Sequence, residues 1–326
     1  MIVNVTKGFI TYRHIYGLIC SLALLCVGCQ SNHCSLEPNF CYIPQQRLIQ
    51  RLPSPFEPLS PQELDQDWGK ELFIGRAFAR ELDLYRAITC FKRSLLLLPS
   101  KANRKREIEY DIFLAYYMGN KYQDAIDAFD ASGLLDTPLD FPAFQDLLIT
   151  LYDAYQQVGQ PEKAYKILCL IASTDEEKSK ALSLAGAVIE ADFPMIDQIA
   201  PSTPAGKTIT SFIIDFQSDA KSVRKARTLN AILPGAGYYY VGQKKSALTS
   251  FLINTLFIAA AYQLFDRGYI AAGIITASLE TGWYFGGING AGLEAKEFNE
   301  RLYETLGKEA LIKERLFPIL MINKGF

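Results

Sequence analysis

The sequence predicts an all-α protein in two parts: a run of helical hairpins, then an α-helical membrane hairpin. Two observations carry this. A pattern of small and aromatic residues recurs at intervals of 38 and 39 in the first half of the chain. Farther on, two long apolar runs nearly free of charge are separated only by Asp266-Arg267-Gly268.

Composition bounds the function. The chain has 326 residues, a net charge of −2 and 49% hydrophobic residues. That length allows two modest domains, and the near-neutral balance argues against a nucleic-acid binder. The only histidines are His14 and His33. His33 beside Cys34 does not make metal-ligand spacing. No nucleophile elbow is present, and no Gly-Lys-Ser/Thr follows the glycines near Gly235, so a phosphate loop is excluded. The expectation is a protein that is not an enzyme, with no cofactor, no metal site and no identifiable small-molecule substrate.

Residues 1–29 read as an export signal. Lys7 and Arg13 form the positive region, and residues 15–28 the apolar one. The stretch ends Leu25-Cys26-Val27-Gly28-Cys29 and resembles the bacterial lipoprotein signal, which implies lipidation at Cys29. An uncleaved signal anchor is the alternative. Gln30 follows Cys29, so the Asp that retains some bacterial lipoproteins in the inner membrane is absent. Residues 30–62 carry Pro44, Pro53, Pro55, Pro58 and Pro61 and read as an extended tether. Cys34 and Cys41, in this exported stretch, are candidates for a disulfide. Cys90 and Cys169 fall on apolar helix faces and are expected in the core.

The recurring pattern occupies residues 63–192. Ala87, Ala125 and Ala164 are equivalent; Phe91, Phe129 and Leu168 follow by four; Phe78, Tyr116 and Tyr155 precede by nine; Gly75, Phe113 and Tyr152 precede by twelve. The alanines let two helices of a hairpin cross closely, and the aromatic at −9 packs on the next helix. Turns are expected at 81–83, 119–121 and 159–161. The pattern resembles the tetratricopeptide repeat, with longer loops between units than that family has. A further helix at about 175–191 is expected to cap the stack. The resemblance implies a concave groove for a protein partner. Residues 193–220 read as a second linker.

Residues 221–292 read as the membrane hairpin. Lys221, Arg224, Lys225 and Arg227, with Lys244 and Lys245, are placed to meet anionic headgroups, at about 1 kcal/mol each. Pro234-Gly235-Ala236-Gly237-Tyr238-Tyr239-Tyr240-Val241-Gly242 supplies a tight turn and interfacial tyrosines. The first span is 246–265, roughly 30 Å at about 1.5 Å per residue, and the second is 269–291. Asn254 and Glu280 sit at equal depth if the turn centres near Arg267. A carboxylate in hydrocarbon is costly, so the two are expected to face each other. Gly282, Gly286 and Gly290, four apart, form a small-residue face for close helix packing.

The spacing Gly235 to Gly242 resembles the approach motif of the TM2-type two-span membrane domain. It is also similar to the PGxGQxYxG motif of bacterial membrane proteins that carry helical repeats ahead of a similar hairpin. Tyr238 stands at the Gln position of that motif. The resemblance covers about residues 225–300 and implies a membrane hairpin without an activity. Residues 293–326 read as an amphipathic helix and tail, with Phe298, Leu302, Leu306 and Ala310 on one face.

Together these point to an exported scaffold in a bacterial envelope membrane, with lipid and a protein partner as its ligands. The alternative is a membrane subunit of a transport or assembly complex that uses Glu280 and Asn254. The basic cluster and the export signal pull in opposite directions on topology, since basic flanks favour the cytoplasmic side.

Overall fold

The computed structural model describes residues 36–40, 42, 49–100 and 103–326. The signal region, Cys29, Cys34 and Cys41 lie outside them. Among the described residues every regular element is helical.

The first part of the described chain is built of helical hairpins. They pair α2 (Asp67–Arg80) with α3 (Leu84–Leu97), α4 (Lys105–Met118) with α5 (Tyr122–Asp130), α6 (Phe144–Gln157) with α7 (Pro161–Thr174), and α8 (Glu176–Ile189) with α9 (Phe193–Ile199). A short helix, α1 (Pro61–Asp65), precedes them behind a capping box between Ser60 and Glu63. Each hairpin turns in the same way. One left-handed residue (Leu82, Asn120, Gly159, Ala191) ends the first helix. The next amide then bonds back five residues, as Asp83 N–H does to Phe78 O at 2.9 Å. The expected turns at 81–83, 119–121 and 159–161 are therefore where the chain reverses. Five residues past the left-handed position lie Ala87, Ala125, Ala164 and Ile196, all buried at the crossing. Gly75 makes room for Phe91, whose ring would lie 2.7 Å from an added Cβ. Cys169 is exposed rather than in the core, because it faces outward on α7.

Residues 193–220 do not form a linker. Phe193–Ile199 is helix α9, and Gly206–Asp219 is helix α10, which buries Ile209, Phe212, Ile213 and Phe216. Apolar residues at helical spacing outweigh the prolines there. Helices α11 (Val223–Ile232) and α12 (Ala236–Val241) lead into α13 (Lys244–Asp266), then α14 (Ile270–Lys313) and α15 (Pro318–Met321).

Helices α13 and α14 pack against each other and turn at residues 267–269. Helix α14 has 44 residues, about 66 Å, and does not break near residue 292. Its second half packs on α10 and α8 through Tyr303, which is buried among Phe40, Phe193, Phe212 and Phe216. The buried seam runs Ala291, Ala295, Tyr303, Gly307, Ala310 and Leu311, so Phe298, Leu302 and Leu306 flank it instead of forming it.

Helices α4 and α6 are buried on nearly every face. A helix buried all round must be covered on all sides. Two segments supply the cover on the side away from the outer helices. The proline-rich residues 49–60 place Leu52, Phe56 and Leu59 against the core, so this stretch is docked and not a free tether. The tail, residues 318–326, buries Ile322 and Phe326 in the same core.

Candidate functional site

The approach to the α13–α14 pair is built around Asn230, which is buried on α11. Its Oδ1 accepts the Gly235 N–H at 2.9 Å. Gly235 is left-handed (φ 90°), and an added Cβ would run into the Ala247 backbone of α13. Gly237 lies where α11 and α14 converge; an added Cβ there would lie 2.8 Å from the Cβ atoms of Asn230 and Ala291. Gly242, also left-handed at φ 95°, ends α12. Pro234 and these glycines thus fold a short helix tightly between α11 and α13. Sequence reasoning missed Asn230. Its signal was a polar residue inside an apolar run, five positions ahead of a glycine.

Tyr239 is exposed, while the Tyr240 hydroxyl accepts the Ser222 N–H at 3.1 Å. The ammonium groups of Lys221 and Lys225 lie 5.8 and 4.9 Å from the Tyr240 ring centroid. Arg227 reaches Asn289 on α14 at 3.4 Å and covers Gly292. Arg224, Lys225, Lys244 and Lys245 are exposed, whereas Lys221 and Arg227 are half-buried and serve packing.

Helix α13 is, among the described residues, the one helix long and apolar enough to cross a membrane. Its charges stand at the ends, Lys244 and Lys245 against Asp266 and Arg267, roughly 30 Å apart. Leu248, Leu252, Leu256, Ile258 and Tyr262 are exposed on it, Leu256 at 69%. Helix α14 continues the surface with Ile270, Ile274, Ile275 (63%), Leu279 and Trp283. This far exceeds the scattered apolar residues of an ordinary wet surface.

Two polar side chains, Asn254 and Glu280, turn inward between the two helices. Asn254 is 2% exposed and Glu280 8%. Asn254 donates to Ser250 O at 2.6 Å within its own helix. Asn254 Oδ1 and both Glu280 carboxyl oxygens have no hydrogen-bond partner among the described residues. Both residues are thus drawn into the hairpin, with no hydrogen bond joining them.

The glycine ladder divides. An added Cβ at Gly282 or Gly286 would meet nothing within 4 Å, and one at Gly290 would overlap the Tyr238 hydroxyl. Of the three, Gly290 is the one in close approach, and it meets α12 rather than α13. Gly282 and Gly286 line an open groove of about 640 Å³ with Tyr238, Lys245 and Glu294.

The chain's last residues pack on the hairpins. Asn323 N–H donates to both Asp146 carboxylate oxygens at 3.1 and 3.2 Å. Gly325 N–H donates to Pro53 O at 2.9 Å. Arg80 Nε donates to Phe326 O at 3.2 Å, and the Phe326 ring stacks on Phe91 at 6.1 Å. Beneath them lies a buried ion network, with Arg76 paired to Glu107 and, at 3.0 Å, to Asp111. Burial pushes the Asp111 carboxyl up to about 7, against the pull of Arg76. Arg104 holds Glu63 at 2.9 Å and keeps its carboxyl down at about 2. Among the described residues no group of three His, Cys, Asp or Glu side chains is placed to hold a metal ion.

No protein-family model, curated protein or solved structure matches the chain.

Proposed function

We propose that this chain is a non-enzymatic, membrane-anchored scaffold of the bacterial cell envelope that recruits a protein partner through its helical hairpins. The observation that carries the reading is the exposed apolar surface of α13 and α14, bounded by charges about 30 Å apart. In water that surface is costly; in hydrocarbon it is the solvent-facing side of a two-span hairpin. The exposed Arg224, Lys225, Lys244 and Lys245 then lie at one end of the hairpin, where headgroup phosphates reside. The recurring hairpins, read as tetratricopeptide-like units, are held to the anchor by the second half of α14. Flotation with phospholipid vesicles tests the anchor. The protein should float and resist a sodium carbonate wash; recovery in the soluble fraction contradicts the reading.

A second reading rests on the unpartnered oxygens of Asn254 and Glu280, buried between the helices. Intramembrane ionisable groups are most often functional, and a transport or assembly subunit would use them. Glu280→Gln separates the two. A scaffold keeps its partner and its fold in that variant, whereas a proton-coupled device loses its activity.

A further inference from the structure

We propose that the end of the tail, residues 322–326, is a resident ligand of a groove formed by the hairpins and residues 49–60, and that the partner is an extended peptide of this segment's own pattern. This rests on the reading of the repeats as a partner-recruiting face.

The contacts have the form of peptide recognition. Three main-chain groups of the tail are read: Asn323 N–H by Asp146, Gly325 N–H by Pro53 O, and Phe326 C=O by Arg80. Pro318 and Leu320 of α15 are buried, and within residues 322–326 the side chains differ in depth. Ile322 and Phe326 are buried, while Asn323 is exposed and Lys324 half-buried. Main-chain bonds with pockets for spaced side chains are how extended peptides are held in general. Gly325 adds a steric filter, since a Cβ there would lie 2.9 Å from Leu52 Cβ. The pattern is therefore aliphatic, one exposed and one half-buried position, a small residue, then an aromatic.

The attachment to α14 is a short turn. The tail leaves α14 through a left-handed Arg315 (φ 55°), whose guanidinium holds Leu320 O at 3.0 and 3.3 Å. Releasing the tail frees Asp146, a buried acceptor, for the amides of an incoming peptide. A tethered ligand competes at an effective concentration near millimolar, so the intact chain is closed to weak partners and open to a strong or locally concentrated one. Because the tail continues from the helix that forms the membrane hairpin, partner capture at the groove would be felt at the membrane side.

The test uses the full chain in lipid nanodiscs with a protease site inserted between Glu314 and Arg315. The probe is a fluorescent peptide, FPILMINKGF, followed by anisotropy. After cutting, the probe should bind saturably, with the intact chain needing roughly 100-fold more peptide. Asp146→Asn in the cut chain should weaken binding about tenfold. Probes carrying Ala at the position of Phe326, or Leu at that of Gly325, should fail, while helical content stays constant throughout. If the cut tail does not exchange, or if its release melts the hairpins, it is a structural staple and the proposal falls. Flotation of the same cut chain reports the membrane anchor separately, so loss of peptide exchange with retained flotation overturns the groove alone.

Discussion

The Tyr303 hydroxyl, on α14, donates to the carbonyl oxygen of Val188, on α8, at 2.9 Å across 115 residues of sequence. It is the polar centre of an otherwise aromatic cluster and ties the long helix to the end of the hairpin stack. Burial pushes this hydroxyl's pKa up, so it remains a donor across the physiological range. Tyr303→Phe should cost about 1–2 kcal/mol by leaving the carbonyl one partner short. Tyr303→Ala should cost about 3–5 kcal/mol through the cavity. Denaturant unfolding in detergent micelles measures both.

The buried ion network of Arg76, Glu107 and Asp111 predicts a pH dependence. Asp111 keeps its proton in the fold up to about pH 7, whereas in the unfolded chain it loses it near its ordinary 3.8. The folded state binds the extra proton in that window, so stability falls as pH rises from about 4 to about 7. The full difference is on the order of 4 kcal/mol. Asp111→Asn should shrink the slope. It should not abolish it, because burial also raises Asp146 and Asp153. Melting curves at pH 5 and pH 8 give the comparison; equal slopes in both proteins would contradict it.

Arg104 pins the proline-rich segment. Its guanidinium donates to Glu57 O at 2.9 Å and Pro58 O at 3.2 Å while pairing with Glu63 and Glu107. Arg104→Ala should release this segment and speed trypsin cleavage at exposed Arg51 severalfold, read by mass spectrometry.

Two glycines four residues apart should behave oppositely. Gly286→Ala faces open space and should be neutral or slightly stabilising, as alanine favours the helix by about 1 kcal/mol. Gly290→Ala meets the Tyr238 hydroxyl and should destabilise the packing of α12. Unfolding midpoints in micelles, compared side by side, decide this.

The parts legible in sequence were those made by local spacing. Ala87, Ala125 and Ala164 mark helix crossings because a small residue is needed where two helices meet, and the turns fall between their helices. The apolar run of α13 is legible for the same reason. The continuation of α14 was not. Gly287, Gly290 and Gly292 look like the end of a helix, yet they accommodate Asn230, Tyr238 and Arg227, which only the fold brings near. The docked tail was also hidden. Asn323 meets Asp146 across 177 residues and through a main-chain amide, which leaves no mark on side-chain patterns.

If α13 and α14 stand in lipid as proposed, their exposed side chains meet acyl chains and not water. Ile258 and Ile275, exposed on the two helices, lie at nearly equal distance from the Arg267 turn. Single cysteines there, and at Lys308 as a reference, would carry an environment-sensitive dye in vesicle-reconstituted protein whose seven native cysteines are replaced by serine. Emission at 258 and 275 should be blue-shifted, quenched by nitroxides at mid-acyl depth and insensitive to iodide, with the reverse at 308. Iodide quenching at 258 and 275 equal to that at 308 would contradict it.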